Sequence, residues 1–158
     1  MERIRYPVGD PGGSDSGGIC MARQCDVLIV GAGPAGLTAA MYAARGRLNA
    51  VLLDRAAVGG GQLLNTELIE DYPGFRSISG SELAQRMEEH AREFGARIEY
   101  GNVVEIWAEG DMRYARTDDG EIYEAPAIIV CSGGSPRRLK VPGERDFAGR
   151  GVSYCAVC

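Results

Sequence analysis

Two thiols at the end of the 158-residue chain have a spacing that suits redox chemistry. Cys155 and Cys158 are separated by two residues, so they can close a small disulfide ring. Pairs of this kind commonly have a depressed thiol pKa, which favours the reactive thiolate. The alternative is half of a zinc site completed by Cys20 and Cys25. Because Cys20 lies in a glycine-rich leader, we favour a disulfide that stores two electrons and expect no metal.

A second constellation is the G-x-G-x-x-G turn, which runs Gly31, Ala32, Gly33, Pro34, Ala35 and Gly36. Its first glycine allows a tight turn, its second lets a pyrophosphate approach the backbone, and its third lets a helix pack on a strand. The carboxylate of Asp54 follows the motif at about the sequence spacing of the acidic residue that contacts the ribose hydroxyls in such proteins. The sequence therefore predicts a dinucleotide site. The alternative is a glycine-rich turn with a solvated aspartate.

The elements around this turn form a predicted βαβ unit over residues 25–54. Residues 26–30 are a β-branched apolar run that is typical of a buried parallel strand. A helix follows from Pro34, which is tolerated in a first turn, to a stop signal at Gly46. Residues 50–53 then form a short apolar strand.

The second half of the chain predicts one more helix and several strands. Ser79 and Glu82 have capping-box spacing, and an amphipathic helix runs from them to Gly95. His90 on this helix, and Trp107 and Tyr114 further on, are interpreted as packing residues. Strands are predicted at 97–100, at 103–108, 112–117 and 121–124 as a meander, and at 127–131 as a buried strand.

Charge and composition exclude some classes of function. The net charge is −5 and no basic run of five residues occurs, which disfavours nucleic-acid binding. Residues 27–44 carry no charge, but proline and three glycines interrupt them, which disfavours a membrane span. Five cysteines, an odd number, without a convincing signal peptide favour a reducing compartment, the cytoplasm.

Residues 1–24 are rich in glycine, serine and proline and predict a disordered tail, in which Met21 is a possible natural start. Residues 25–140 then form the predicted nucleotide-binding domain. Residues 141–158 form a linker that ends in the C-x-x-C motif.

Four blocks of sequence closely resemble low-molecular-weight thioredoxin reductases, namely 60–63 (GGQL), 69–75 (IEDYPGF), 132–137 (SGGSPR) and 149–158 (GRGVSYCAVC). The resemblance covers residues 25–158. It implies an α/β fold, a three-layer ββα FAD/NAD(P)-binding Rossmann-like domain with a β-meander. It also implies an oxidoreductase in which NADPH reduces FAD, FAD reduces Cys155–Cys158, and the dithiol reduces thioredoxin. In that scheme Cys155 attacks thioredoxin and Cys158 lies nearer the flavin.

The resemblance also implies the residues that hold FAD. Residues 31–36 would bind the pyrophosphate, Asp54 the ribose, and Val103 the adenine through its backbone. The residues implied along the flavin side are Gly61, Gln62, Leu63, Asp71, Ser132 and Gly133. Asp71 replaces the family's usual asparagine, which places an anion near the flavin. Cys131 replaces the usual alanine and is interpreted as a small buried apolar residue.

The same resemblance implies that this chain is an incomplete domain. The family's NADPH-binding insert, its C-terminal FAD segment and the aspartate that follows the second cysteine are missing here. A truncation, a broken reading frame and a separate partner chain are three open explanations. We expect the isolated chain to bind FAD weakly or not at all and to be inactive with NADPH, and the full-length protein to be a homodimer. The alternatives are a relative that uses ferredoxin or a small dithiol, and a non-catalytic nucleotide-binding module.

Overall fold

A computed structural model describes residues 4–5, 22–135 and 137–154 of the chain. Cys20, Cys155 and Cys158 therefore lie outside the described residues. The strands are β1 (Ile4–Arg5), β2 (Arg23–Gln24), β3 (Val27–Val30), β4 (Ala50–Asp54), β5 (Arg97–Tyr100), β6 (Val103–Glu109), β7 (Met112–Thr117), β8 (Ile122–Ala125) and β9 (Ala127–Val130), and the helices are α1 (Pro34–Arg45) and α2 (Gly80–Glu93), with a 3-10 helix at Gly61–Asn65.

The central layer is a four-stranded parallel sheet in the order β5-β4-β3-β9. In β3, Leu28 is in register with Val51 of β4 on one side and with Ile128 of β9 on the other. Because the helices cover one face of the sheet and the meander covers the other, the apolar run of β3 is buried on both faces. This is the arrangement that a continuous apolar run without alternation favours.

Helices α1 and α2 pack against each other and cover one face of this sheet. Alternate residues of the strands, such as Ile29 and Leu52, point into a core that they share with Leu37 of α1 and Ala91 of α2. The opposite residues of the same strands point to the other face. The period-two alternation of strand side chains thus divides one apolar run between two cores.

The third layer is a five-stranded sheet in the order β1-β6-β7-β8-β2, whose hairpins β6-β7-β8 are antiparallel. Ala115, Tyr123 and Ala125 of this sheet pack on Leu28 and Leu53 of the parallel sheet. Helices, parallel sheet and meander therefore form three layers, and the predicted α/β fold of the ββα type is confirmed.

The predicted elements agree closely in position with the observed ones, but the expectation of a buried strand at 127–131 is wrong. The observed β9 is mostly exposed, because it is an edge strand that pairs only with β3 in the parallel sheet. Ser79 caps α2, because its side-chain oxygen accepts the N–H of Glu82 at 3.1 Å. The observed helix ends at Glu93. Gly95 lies in the turn between this helix and β5, which occupies the positions predicted for a strand at 97–100. The 3-10 helix at Gly61–Asn65 was not predicted, since it has no apolar periodicity.

The predicted tail contains two short strands. Ile4–Arg5 pairs with β6, and Arg23–Gln24 pairs in parallel with β8. Through the pairing of β2, the backbone of Arg23 and Gln24 completes an edge of the meander, and the Arg23 side chain donates to the Tyr123 hydroxyl at 2.6 Å and to Glu99. The other residues of 1–21 lie outside the described part of the chain.

Within the described ranges, neither helix has the length and apolar character that crossing a bilayer requires. The uncharged stretch at residues 27–44 is divided between β3, the glycine turn and α1.

The packing of α1 on the parallel sheet predicts a difference between Leu52, which lies within β4, and Leu48, which lies just before it. Leu52→Ala should lower the free energy of unfolding by about 2–5 kcal/mol, because it opens a cavity at a fully buried site. Leu48→Ala should change it by less than about 0.5 kcal/mol, because Leu48 is exposed. Urea denaturation followed by circular dichroism measures both, and equal losses would contradict the described core.

Candidate functional site

The glycine turn links the carboxyl end of β3 to the amino end of α1. Gly31 has a φ of 104°, in the left-handed region that favours glycine, and a Cβ there would overlap the carbonyl oxygen of Cys131. A Cβ on Gly36 would overlap the carbonyl oxygen of Gly31. Two of the three glycines are therefore required by the close approach of protein backbone.

The middle glycine differs from the other two. Gly33 has an ordinary φ of −73°, and a Cβ there would meet no atom within 4 Å. The protein itself therefore does not need a glycine at this position. Gly33 is the N-cap of α1, has no side-chain cap, and is followed by Pro34 and Ala35 in the first turn, which holds no acidic residue. Free N–H groups and the helix dipole favour an anion at this point.

A cleft of about 340 Å³ opens at the carboxyl ends of the parallel strands. The sequence-predicted residues on its wall are Gly31, Asp54, Val103, Ser132 and Gly133. In open α/β sheets this edge is where nucleotides bind. The structure thus brings together residues from β3, β4, β6 and the segment after β9.

Asp54 connects the second strand of the βαβ unit to the glycine turn. Its Oδ2 accepts the N–H of Ala32 at 2.5 Å, and its Oδ1 accepts the N–H of Ala56 at 2.7 Å. The carboxylate therefore has a structural task besides the predicted contact with ribose. It fixes the turn at Ala32 from the neighbouring strand, and it also lies on the cleft wall.

Gly60 and the start of the 3-10 helix lie against the glycine turn. The N–H of Gly60 donates to the carbonyl of Ala32 at 2.7 Å, and a Cβ on Gly61 would lie 3.2 Å from the Cα of Gly33. The Gln62 amide donates to the carbonyl of Gly134 at 2.9 Å. Gln62 therefore links this segment to the loop that follows β9 and closes one end of the site.

Eight of the predicted residues do not line this cleft, namely Gly33, Pro34, Ala35, Gly36, Gly61, Gln62, Leu63 and Asp71. The first six adjoin the cleft through the glycine turn and the 3-10 helix, because Gly61 lies against Gly33 and Gln62 bonds to Gly134. Leu63 and Asp71 do not. Leu63 packs on a small core cluster with Ile69, Ile78 and Leu83. Asp71 is exposed in the loop that the bridge between Ile69 and Ile78 closes. The structure brings the other predicted residues together but places these two in the neighbouring loop region.

Seven cleft residues were missed by sequence reasoning. These are Val30, Leu53, Arg55, Gly101, Asn102, Gly134 and Ser135. The N–H of Gly101 donates to the carbonyl of Asp54 at 2.9 Å, which joins the ends of β4 and β5. The available signal was their position at or shortly after the ends of predicted strands, where parallel strands end at one edge of a sheet.

The residues that were interpreted as packing aromatics are remote from the cleft. His90 lies on α2 with its ring centroid 5.4 Å from that of Phe94, and Trp107 stacks on Tyr114 at 5.3 Å. Within the part of the chain that the structure describes, no three metal-ligating side chains gather at one point.

The two described cysteines are held in their neutral form. Cys25 is 7% exposed, and burial raises the pKa of its thiol to about 11. Burial also raises the pKa of Cys131, which lies against Gly31 and Gly36 at the base of the turn. Neither environment favours a thiolate, in contrast to the environment expected of a redox pair.

Comparison with known proteins identifies related chains. Residues 25–158 match the family described as "Pyridine nucleotide-disulphide oxidoreductase". The chain is 47% identical to a thioredoxin reductase from Bacillus subtilis over 84% of its own length. Its structure is similar to that of thioredoxin reductase from Lactococcus lactis, with a TM-score of 0.74 and 46% identity over 85% of this chain. A ferredoxin-flavin thioredoxin reductase from Clostridium acetobutylicum gives a TM-score of 0.66 and 33% identity over 87% of this chain.

The chain spans less than half of the length of these relatives. It covers 42% of the Bacillus subtilis protein, 44% of the Lactococcus lactis structure and 47% of the Clostridium acetobutylicum structure.

The contrast between Gly33 and Gly36 predicts that one substitution affects binding and the other affects folding. Gly33→Val should lower the thermal midpoint much less than Gly36→Val does, because its Cβ meets no atom within 4 Å and the main loss is that of a favoured N-cap residue, but it should weaken FAD binding by at least about tenfold, because the side chain fills the space that the pyrophosphate needs. Gly36→Val should lower the midpoint itself, since its side chain overlaps the Gly31 carbonyl. Thermal denaturation and fluorescence titration with FAD separate the two effects. An unchanged dissociation constant for Gly33→Val would contradict the placement of the phosphate.

Burial of Cys25 predicts a specific dependence on pH. The folded pKa of about 11 lies above the ordinary value of 9.0, so the stability contributed by the neutral thiol is complete below pH 9 and is lost as the pH rises towards 11. Cys25→Ala should remove this part of the pH dependence. In the native chain, alkylation of Cys25 should rise about tenfold per pH unit up to about pH 11. Labelling with iodoacetamide followed by mass spectrometry measures it, and a plateau at pH 9 would contradict the burial.

Proposed function

The chain belongs to the pyridine nucleotide-disulphide oxidoreductase family, and from that premise we propose that it binds FAD and carries the redox disulfide of a thioredoxin reductase. The observation that carries the proposal is the open face of Gly33 at the amino end of α1, at the edge where the four parallel strands end. The match through residue 158 includes Cys155 and Cys158, which supports a disulfide as the second redox centre. FAD supplies two-electron chemistry when bound.

The described cleft fits a dinucleotide. The backbone from Gly31 to Gly36 offers a surface that no side chain blocks above Gly33, and this surface would hold the pyrophosphate. Each oxygen of Asp54 accepts one backbone N–H, from Ala32 or from Ala56, and would accept a ribose hydroxyl on its second lone pair. Val103 would meet the adenine through its backbone. The residues that would line the flavin end are Gly61, Gln62, Leu63, Asp71, Ser132 and Gly133.

The substrate step proposed for the thiols is an exchange in two stages. The Cys155 thiolate attacks the thioredoxin disulfide, so that a mixed disulfide forms and one thioredoxin sulfur leaves as a thiolate. Cys158 then attacks the sulfur of Cys155, which releases the second thioredoxin sulfur and leaves a Cys155–Cys158 disulfide. Two electrons pass to thioredoxin, and solvent supplies the two protons of its dithiol.

The organisation proposed for the whole protein follows from its relatives. Residues 25–140 form part of an FAD-binding domain, and residues 141–158 are the linker and the start of a domain that binds NADPH and carries the disulfide. The full protein would act as a homodimer in the cytoplasm, where thiols are kept reduced.

A second candidate differs only in the electron donor. The similarity to a ferredoxin-flavin thioredoxin reductase at a TM-score of 0.66 favours a relative that receives electrons from ferredoxin instead of NADPH. The thiol exchange with thioredoxin is common to both candidates. Assays of the full-length protein with NADPH or with reduced ferredoxin as the sole donor would distinguish them.

The exchange can be tested on this chain without any flavin. The chain is reduced with dithiothreitol, freed of reductant, and mixed with oxidised thioredoxin, after which all thiols are alkylated and the proteins are weighed. We expect reduced thioredoxin to form with one chain disulfide for each dithiol transferred, because electrons must balance. Cys158→Ser should trap a mixed disulfide on Cys155.

Cys131→Ser is the matched control, because this half-buried thiol should not take part. Its yield of reduced thioredoxin should equal that of the unmodified chain. Transfer that survives Cys155→Ser, or that is lost in Cys131→Ser, would overturn the assignment of the thiols.

A further inference from the structure

The parts of a bound dinucleotide should follow the strand order of the parallel sheet. The function proposed above places the pyrophosphate at the glycine turn, which follows β3, and the ribose at Asp54, which ends β4. The next strand of the sheet is β5, about 4.8 Å further along. The base should therefore lie where the chain leaves β5, at Gly101, Asn102 and Val103, all of which line the cleft.

Asn102 has the polar side chain among these three residues. Its Nδ2 donates to Oδ2 of Asp118 at 2.9 Å, and its backbone carbonyl accepts the N–H of Asp118 at 2.9 Å. A carboxylate only accepts hydrogen bonds, so this contact determines which end of the amide faces Asp118. The other end, Oδ1, has no hydrogen-bond partner among the described residues. Asn102 is half-buried and therefore has an acceptor oxygen to offer on the cleft wall.

The turn that carries Asp118 is held by its own hydrogen bonds. It joins β7 to β8, and Thr117 at its start is 2% exposed and in register with Val103. The N–H of Thr117 donates to the carbonyl of Glu121 at 3.0 Å, and its hydroxyl donates to a carboxylate oxygen of Asp119. The position of Asp118 beside the cleft is therefore set by the meander and needs no ligand.

We propose that Asn102 recognises the adenine base through Oδ1 and that Asp118 is the residue that positions it, an assignment that rests on the nucleotide site proposed above. Adenine carries a donor amino group on C6, whereas guanine and hypoxanthine carry an acceptor oxygen there. An acceptor on the protein matches the first and opposes the second. The carboxylate of Asp118 keeps the amide from rotating to offer Nδ2 instead. The pair therefore makes the site selective for adenine nucleotides.

The test uses two nucleotides that differ only in the base, at C6 and the adjoining N1. ADP contains the adenine, ribose and pyrophosphate of FAD, and inosine diphosphate has an oxygen on C6 in place of the amino group. Each is titrated into the ¹⁵N-labelled 158-residue chain, and the amide shifts in NMR give its dissociation constant, even where binding is weak. The ratio of the two constants is the selectivity, and the unmodified chain should bind ADP more tightly.

Asn102→Ala should lower the selectivity at least about threefold, which is within the range that one neutral hydrogen bond contributes. Asp118→Ala should lower it as well, because the freed amide can turn Nδ2 towards the oxygen of inosine diphosphate. Asp118→Asn should keep the selectivity, since its amide oxygen can still accept from Nδ2. Asp111→Ala is the matched control, because it removes an exposed carboxylate from the turn at the other end of β7, and it should change nothing.

The outcomes separate this inference from the function on which it rests. Unchanged selectivity in Asn102→Ala would overturn base recognition, and unchanged selectivity in Asp118→Ala alone would overturn the positioning role. In both cases ADP binding would leave the proposed nucleotide site intact. An equal loss of affinity for both nucleotides in Asn102→Ala would show a contact with their shared ribose and would also overturn base recognition.

Two further results have a defined meaning. An unmodified chain that binds neither nucleotide would contradict the proposed site itself, and the inference with it. Circular dichroism checks that each variant keeps the fold, and the comparison of Asp118→Ala with Asp118→Asn decides the question if Asn102→Ala does not fold.

Discussion

The contact between the backbone of Gly36 and the carbonyl oxygen of Gly31 is the constraint on which the site depends. No side chain fits between them, and none fits between Gly31 and the carbonyl of Cys131. Because both gaps are closed by backbone, α1 begins directly against the ends of β3 and β9. The free N–H groups at its first turn therefore face the edge of the sheet, where the strand ends and the following loops leave a cleft.

Two hydrogen bonds keep this edge in shape without filling it. Asp54 holds Ala32 from β4, and Gln62 holds the carbonyl of Gly134 beyond β9. Each of these hydrogen bonds joins two segments that lie more than twenty residues apart in the sequence. The turn is therefore held in place by segments on both sides of it. A site built in this way loses little conformational entropy when a ligand binds, which favours affinity.

The sequence predicted the features that depend on residues close together in the chain, and it missed those that depend on residues far apart in the chain. The strand at 27–30, α1 and the Ser79 cap depend on local spacing, and the structure confirms them. Apolar periodicity says that a strand is buried but not which strands it pairs with, so the parallel pairing of β2 with β8 could not be read from it. The second role of Asp54, the inward packing of Leu63 and the hydrogen bond between Asn102 and Asp118 likewise depend on residues that only the fold brings together.

The central claim is that the glycine turn and the cleft beside it form a dinucleotide site. The most direct measurement is a titration of the ¹⁵N-labelled chain with FAD, followed by the amide resonances in heteronuclear NMR. The account predicts that the largest shift changes occur at Gly33 and the first turn of α1, with further changes at Asp54, Asn102 and Gly133. Changes that cluster on the outer face of α2 or on the outer face of the meander, with Gly33 unmoved, would contradict it.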